Sequence, residues 1–170
     1  MPPRSRGRQH RNESAATSAH IINADIGIAL EFGITNDTPE NRPEAALETL
    51  GGGPGIMLYS FSELPNHNLV QFVQQVAAGK HIPLQFDFVD GFGDDAGAIK
   101  LNGSGVPVIT LLVPTRSTHT HNGIIDRADF DRTVDLLVES LKRLDNETVA
   151  RIKNFQATGS KTQAKPTTSN

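Results

Sequence analysis

The chain has 170 residues, a net charge of −3, 21% charged side chains and no cysteine. That length admits one domain with a sizeable core, and the charge gives no bulk drive toward nucleic acid or a membrane surface. The absence of thiols excludes disulfides and thiolate zinc sites, which fits a reducing, cytoplasmic interior, and no apolar run nears the roughly 18 residues of a membrane span.

Residues 1–12 hold Arg4, Arg6, Arg8 and Arg11 without an acid or the apolar stretch of a secretory signal. They read as a disordered leader foreign to the fold; a nucleic-acid arm and an organelle transit peptide are the other readings. A short helix is expected over 13–21. Residues 25–32, Asp-Ile-Gly-Ile-Ala-Leu-Glu-Phe, form the near-continuous apolar run of a buried parallel strand, interrupted by Glu31 near its end. A carboxylate there must be paired, solvated or ligating, because burying it alone is costly. Residues 33–53 read as a long polar loop with a turn at Asp37-Thr38-Pro39.

A second strand is expected over 55–59. Leu69, Phe72, Val73 and Val76 share one face of a helix over 66–78, which Gly79 stops. A third strand follows over 84–89, then a glycine-rich turn with Asp94 and Asp95 and a short helix over 94–101. The fourth strand, 106–113, runs into a loop with Arg116, His119 and His121. Apolar residues at 130, 134, 137, 138, 141 and 144 mark one side of a helix over 127–144. Residues 156–170 are polar and read as a disordered tail. Strands alternating with helices make the fold class α/β, with a sheet at least partly parallel and the strands 25–32 and 106–113 apolar enough to be central.

Ligands in such folds bind where parallel strands end, and carboxylates meeting imidazoles there point to hydrolysis or metal binding. Glu31, Asp95 and His119 all fall at expected strand ends or in the turns after them; a surface loop with solvated charges is the plainer alternative. His119 and His121, two apart in an extended segment, point the same way. His67 and His81 flank a helix with no acid near both and read as surface residues. Gly51-Gly52-Gly53-Pro54 lacks the Lys-Ser/Thr end of a phosphate loop and precedes a strand, so it reads as a turn; a nucleotide-binding module built on it is the alternative.

Seven stretches, taken together, resemble the C-terminal half of the tetrahedral aminopeptidases, the family that includes glutamyl and deblocking aminopeptidases and some proteins labelled endoglucanases. They are Asp-Ile-Gly-Ile-Ala-Leu-Glu (25–31), Asp-Thr-Pro (37–39), Leu-Gly-Gly-Gly-Pro (50–54), Ile-Pro-Leu-Gln-Phe-Asp (82–87), Gly-Asp-Asp-Ala-Gly-Ala-Ile (93–99), Gly-Val-Pro (105–107) and Thr-Arg-Ser-Thr-His-Thr-His (115–121). They stand in the family's order over about 120 residues.

The resemblance implies a three-layer, phosphorylase/hydrolase-like domain over 13–155. The implied activity removes the N-terminal residue of a peptide with two divalent ions, zinc or cobalt, in a homo-oligomer that engages neither nucleic acid nor membrane. It makes Glu31 a ligand of one metal and His119 of the other, with Asp94, Asp95, Arg116 and His121 shaping the site. The same resemblance places the family's first His ligand, its bridging Asp, its early strands and its inserted β domain upstream of Met1, and sets Arg8-Gln9 where a Glu-Glu pair supplies the general base. Asp94 stands for a usual Thr, Phe92 for a Gly and Ser117 for a Tyr. The expectation is a truncated member, inactive alone and doubtful as a metal binder; a non-catalytic remnant or interaction protein is the alternative.

Overall fold

The computed structural model describes residues 13–38, 47–89 and 91–154. The leader over 1–12, the tail over 156–170 and Pro39 of the expected turn lie outside these residues. The elements are α1 (Glu13–Ile22), β1 (Gly27–Ile34), β2 (Gly55–Ser60), α2 (His67–Gly79), β3 (Gln85–Val89), α3 (Asp95–Ile99), β4 (Val108–Arg116), β5 (Ile124–Ile125), α4 (Arg127–Lys142) and α5 (Asn146–Lys153). The sheet runs β1-β4-β2-β3, with β5 also paired to β4. It is mixed: β1 lies parallel to β4 and β2 parallel to β3, whereas β2 and β5 are antiparallel to β4. The α/β expectation therefore holds, as an open mixed sheet flanked by helices. Among the described residues no helix is long and apolar enough to cross a membrane.

β4 is central, as its apolar run predicts, and every residue from Val108 to Thr115 is buried. It begins two residues later than expected. Val106 N–H closes a turn on Lys100 O, and Pro107 has no N–H to give, while its carbonyl accepts from Gly27 N at 2.9 Å. It also runs on past the apolar stretch, because Thr115 and Arg116 pair with Ile125 and Ile124 of β5. Arg116 is thus a strand residue and not part of the loop after it. β1 was expected to be central, yet among the described residues it has only β4 beside it, and Leu30 and Phe32 are 55% and 56% exposed. The expected loop over 33–53 also shortens, since β1 reaches Ile34 and Thr35 bridges Glu48.

The two faces bury different things. Ile56, Ile109 and Leu111 pack with Leu69, Val73 and Val76 of α2, Leu136 of α4 and Ile152 of α5. On the other face Ala29 and Val108 pack with Ala96 of α3, and Met57, Val89 and Leu112 form a third cluster. Asn66 caps α2 by accepting from Leu69 N at 2.9 Å. Gly79 is the last helical residue, and Lys80 N–H closes the end on Val76 and Ala77 carbonyls. His67 and His81 are exposed, as expected.

α4 is rotated from the orientation its apolar stripe predicts. Leu137 and Leu144 of that stripe pack against the core, but Phe130, Val134, Val138 and Leu141 stay 41–54% exposed, and the buried positions are Asp129, Thr133, Leu136 and Ser140. Asp129 decides this. Its carboxylate, fully buried, accepts from Gly51 N at 2.7 Å and Gly53 N at 2.9 Å, with Arg132 3.7 Å away. Gly51 and Gly53 take φ of +83° and +94°, a left-handed geometry open to glycine at little cost, and it turns both N–H groups the same way. The glycine loop does bind an anion, but that anion is the chain's own aspartate, so the nucleotide-module alternative fails: its donors are already taken.

Asp129→Ala leaves two buried N–H groups without acceptors, and bonds to a charged partner are each worth about 1.5–3 kcal/mol. We expect a loss of at least about 3 kcal/mol in urea unfolding, with Asp129→Asn intermediate. A change under about 0.5 kcal/mol would show that the loop holds without the aspartate.

Candidate metal and hydrolytic site

Glu31 lies on the β1 face that also carries the buried Ala29, and is itself half-buried. Its pKa is raised, first by burial, then by the charges of Asp95 and Asp94; His119 acts on it in the opposite sense. These groups come together because β1 and β4 are parallel and in register, Glu31 beside Leu112 and Ile34 beside Thr115. The chain leaving β4 therefore turns over the end of β1. Thr118 Oγ1 fixes that turn by donating to Gly33 O, with Thr115 O also 3.1 Å away. Ser117 and His119 adopt φ of +58° and +61°. Left-handed backbone at a non-glycine costs of order 1–3 kcal/mol and clusters at functional sites. The His119 ring is exposed, and its centroid is 6.4 Å from that of Phe92.

The two aspartates of the glycine-rich turn divide. Asp94 points inward at 2% exposure as the N-cap of α3: its Oδ1 accepts from Gly97 N at 2.9 Å and from Ser62 Oγ, and its Oδ2 accepts from Ser60 Oγ. Asp95, one residue on, is exposed and acts on Glu31. Arg116 is paired with an acid of the loop after β1. Its guanidinium is engaged by Asp37, Nε to Oδ1 at 2.8 Å and Nη2 to Oδ2 at 2.7 Å, and the Asp37 carboxyl is held well below the usual range chiefly by those bonds. Asp37 also accepts from Leu50 N, so the pair ties the end of β4 to both arms of the loop after β1. His121 is exposed.

Glu31 and His119 are suitable donors for zinc or cobalt. Two donors do not make a site, since a catalytic zinc normally has three protein ligands. Among the described residues no group of three or more His, Cys, Asp or Glu is set to hold a metal. The described residues do not fit a complete dinuclear centre.

Two buried carboxyls next to this site carry no local signature in the sequence. Glu48, 1% exposed, lies in a slot between Gly33 and Gly55, where a Cβ on either would overlap its oxygens. Neither oxygen has a hydrogen-bond partner, and burial, then Asp87 and Asp129, push its pKa up to about 8. Glu63, also 1% exposed, accepts from Thr110 Oγ1 at 2.7 Å through Oε2, and burial is the largest cause of its rise to about 8.

The model of the M42 glutamyl aminopeptidase family matches residues 12–136, and the chain belongs to that family. It is 34% identical over 142 residues to the putative aminopeptidase FrvX of Escherichia coli (strain K12), covering 84% of this chain and 40% of that protein. A putative aminopeptidase of Acetivibrio thermocellus is 32% identical over 127 residues, covering 75% of this chain and 38% of that protein. Among solved structures, the TET aminopeptidase from the marine sediment archaeon Thaumarchaeota archaeon SCGC AB-539-E09 superposes with a TM-score of 0.79 at 40% identity, covering 81% of this chain and 38% of that one. The chain thus spans about two fifths of the length of the relatives it matches.

Glu48 also generates a prediction with a definite sign. Its folded pKa lies above the unfolded value of 4.5, so its contribution is fully present below pH 4.5 and is lost as pH rises toward about 8. At about 1.4 kcal/mol per pH unit, a loss of a few kcal/mol is expected across that window. Glu48→Gln keeps the shape without the proton, so its urea stability should fall less steeply with pH than wild type over the same range. Parallel profiles would show that Glu48 is not protonated in the fold.

Proposed function

We propose that this chain forms part of a metal-dependent aminopeptidase catalytic domain of three-layer, phosphorylase/hydrolase-like build, with Glu31 contributing to one divalent ion and His119 to a second. The observation that carries this reading is the meeting of Glu31, His119 and Asp95 where β1 and β4 end. Zinc or cobalt bound there would supply Lewis acidity and an acidified water. The chain's own residues set the positions of the donors: the β1–β4 register spaces them, the Thr118 bond to Gly33 holds the turn, and Asp94 orients Asp95. The substrate class is a peptide with a free N-terminus, in a cytoplasmic homo-oligomer. Two donors fall short of a dinuclear centre, so the chain by itself is proposed to be inactive, the remaining ligands and the general base coming from elsewhere in the catalytic unit. Loss of a general base alone costs roughly 10²–10⁴ in rate.

The purified chain with excess Co²⁺ or Zn²⁺ should bind metal weakly by titration calorimetry, lose that binding in His119→Ala and Glu31→Gln, and hydrolyse no leucyl, glutamyl or aspartyl anilide. Metal-dependent turnover that vanishes in His119→Ala would overturn the inactive reading. Metal binding indifferent to both substitutions would overturn the ligand assignment.

One observation favours a second reading, a non-catalytic interaction protein. Leu30 and Phe32 on β1 and Phe130 and Val134 on α4, each 41–56% exposed, line a groove of about 210 Å³ at the β1 side of the sheet. Edge strands with exposed apolar side chains invite association. Sedimentation of the chain alone should show self-association that Phe32→Lys reduces, and a monodisperse wild-type monomer would count against it.

A further inference from the structure

We infer that the groove at the start of β4 binds an extended acidic peptide through its carboxylate side chains. The groove holds about 940 Å³ and is walled by α2, by α5 and by the stretch that leads from the end of α3 into β4. A strand rises about 3.3 Å per residue, so Val108 in this groove stands roughly 23 Å from Thr115 at the other end of β4, where the chain turns toward His119. The inference does not rest on the proposed metal chemistry. Its first support is one-sided charge. The whole chain carries a net charge of −3, yet no Asp or Glu is among the described residues that line the groove, whereas Lys100, Arg151 and His67 are. Among the described residues neither Lys100 nor Arg151 is in an ion pair. The acids on which they act, Glu63 and Asp145, lie outside the lining.

The head of α2 adds neutral donors to these charges. Asn66 lines the groove and is only 8% exposed. Its Oδ1 accepts from Leu69 N at 2.9 Å and its backbone carbonyl from Val70 N at 3.0 Å. Among the described residues its Nδ2 has no acceptor, and the amide keeps its opening to the groove. The N–H groups of His67 and Asn68, in the first turn of this 13-residue helix, have no intrahelical acceptor either. Such a helix start favours an anion through its N–H groups and its dipole. Further along α2, Gln71 and Gln75 are exposed one turn apart, and each offers a donor and an acceptor, as a peptide backbone requires. Phe72, Val106, Pro107 and Ile152 give the groove its apolar surface. Two fixed cations are too few for a nucleic-acid backbone, which carries a phosphate at every step. Carboxylates spaced along an extended chain match them, each gaining charge-assisted hydrogen bonds.

The test titrates the full chain with an acetylated and amidated hexapeptide of alternating glutamate and alanine, followed through backbone amide chemical shifts. The amides of Asn68, Gln71 and Thr148 should move and that of Thr118 should not. The glutamine counterpart of the peptide should bind at least about tenfold more weakly, because it keeps the shape and lacks the charge. The double variant Lys100→Gln, Arg151→Gln should weaken the glutamate peptide by a similar factor, whereas Lys142→Gln, outside the groove, should not. Asn66→Asp separates binding from folding. Its carboxylate still caps Leu69 N–H, so urea stability should be kept, while the Nδ2 donor gives way to a charge that repels the peptide. If that variant fails to fold, the Lys100 and Arg151 pair decides alone. Equal affinity for the glutamate and glutamine peptides, unchanged affinity in the double variant, no saturable shift in the groove amides, or tighter binding of an oligothymidylate than of the acidic peptide would each overturn the inference.

Discussion

Burying a carboxylate is the costliest thing this chain does, and among the described residues five are buried: Glu48, Glu63, Asp87, Asp94 and Asp129. The fold meets that cost in two ways. Asp129 and Asp94 have donors on both oxygens, two glycine N–H groups for the first and a helix amide and two serine hydroxyls for the second, while Asp87 accepts from the N–H groups of Leu47 and Phe88 on Oδ1 alone. Glu48 and Glu63 have one donor between them, and burial pushes both carboxyls up toward the neutral acid. Each solution joins segments distant in sequence. Asp129 binds the glycine loop to α4, Asp94 binds the α3 turn to the end of β2, and Glu63 binds that same end to β4.

This explains why the fold was more legible than the site. Strand and helix identity follows from local apolar pattern, and β4 with its unbroken run of buried residues was readable as a central strand. The pattern failed where backbone pairing continued without apolar side chains, at Thr115 and Arg116, and where it was too short to read, at the two-residue β5. α5 was missed although its signal was present: Asp145 caps it by accepting from Thr148 N, in a segment with too few apolar residues to stand out. The rotation of α4 was out of reach. Its apolar stripe pointed one way, and a single aspartate bonded to glycines 76 and 78 positions earlier turned it another.

Asp94 and Asp95 show the same limit in miniature. The sequence presents them as equivalent neighbours. Gly97 N–H and the two serines draw the first inward and leave the second exposed. A capping aspartate three residues before its amide partner is a recognisable pattern, so the division was legible in principle. Arg116 was not. Nothing near it in sequence indicated Asp37, 79 positions away, as the acid that would engage it.

What joins Glu31 to His119 is finally a matter of strand register. Each sits on a different strand or just beyond it, yet the parallel ladder fixes Gly33 against Pro114 and Ile34 against Thr115, so the two chain ends advance together. Sliding the register by one residue would send Glu31 to the opposite face, among the groups packed against α4. The left-handed turn at Ser117 and His119 is affordable only because both its ends are held: β5 pairs with Thr115 and Arg116 on one side of it, and Thr118 bonds to Gly33 O within it. The ladder thus specifies where an imidazole and a carboxylate meet. Glu48 fills the slot between Gly33 and Gly55, where a side chain on either glycine would have displaced its carboxyl.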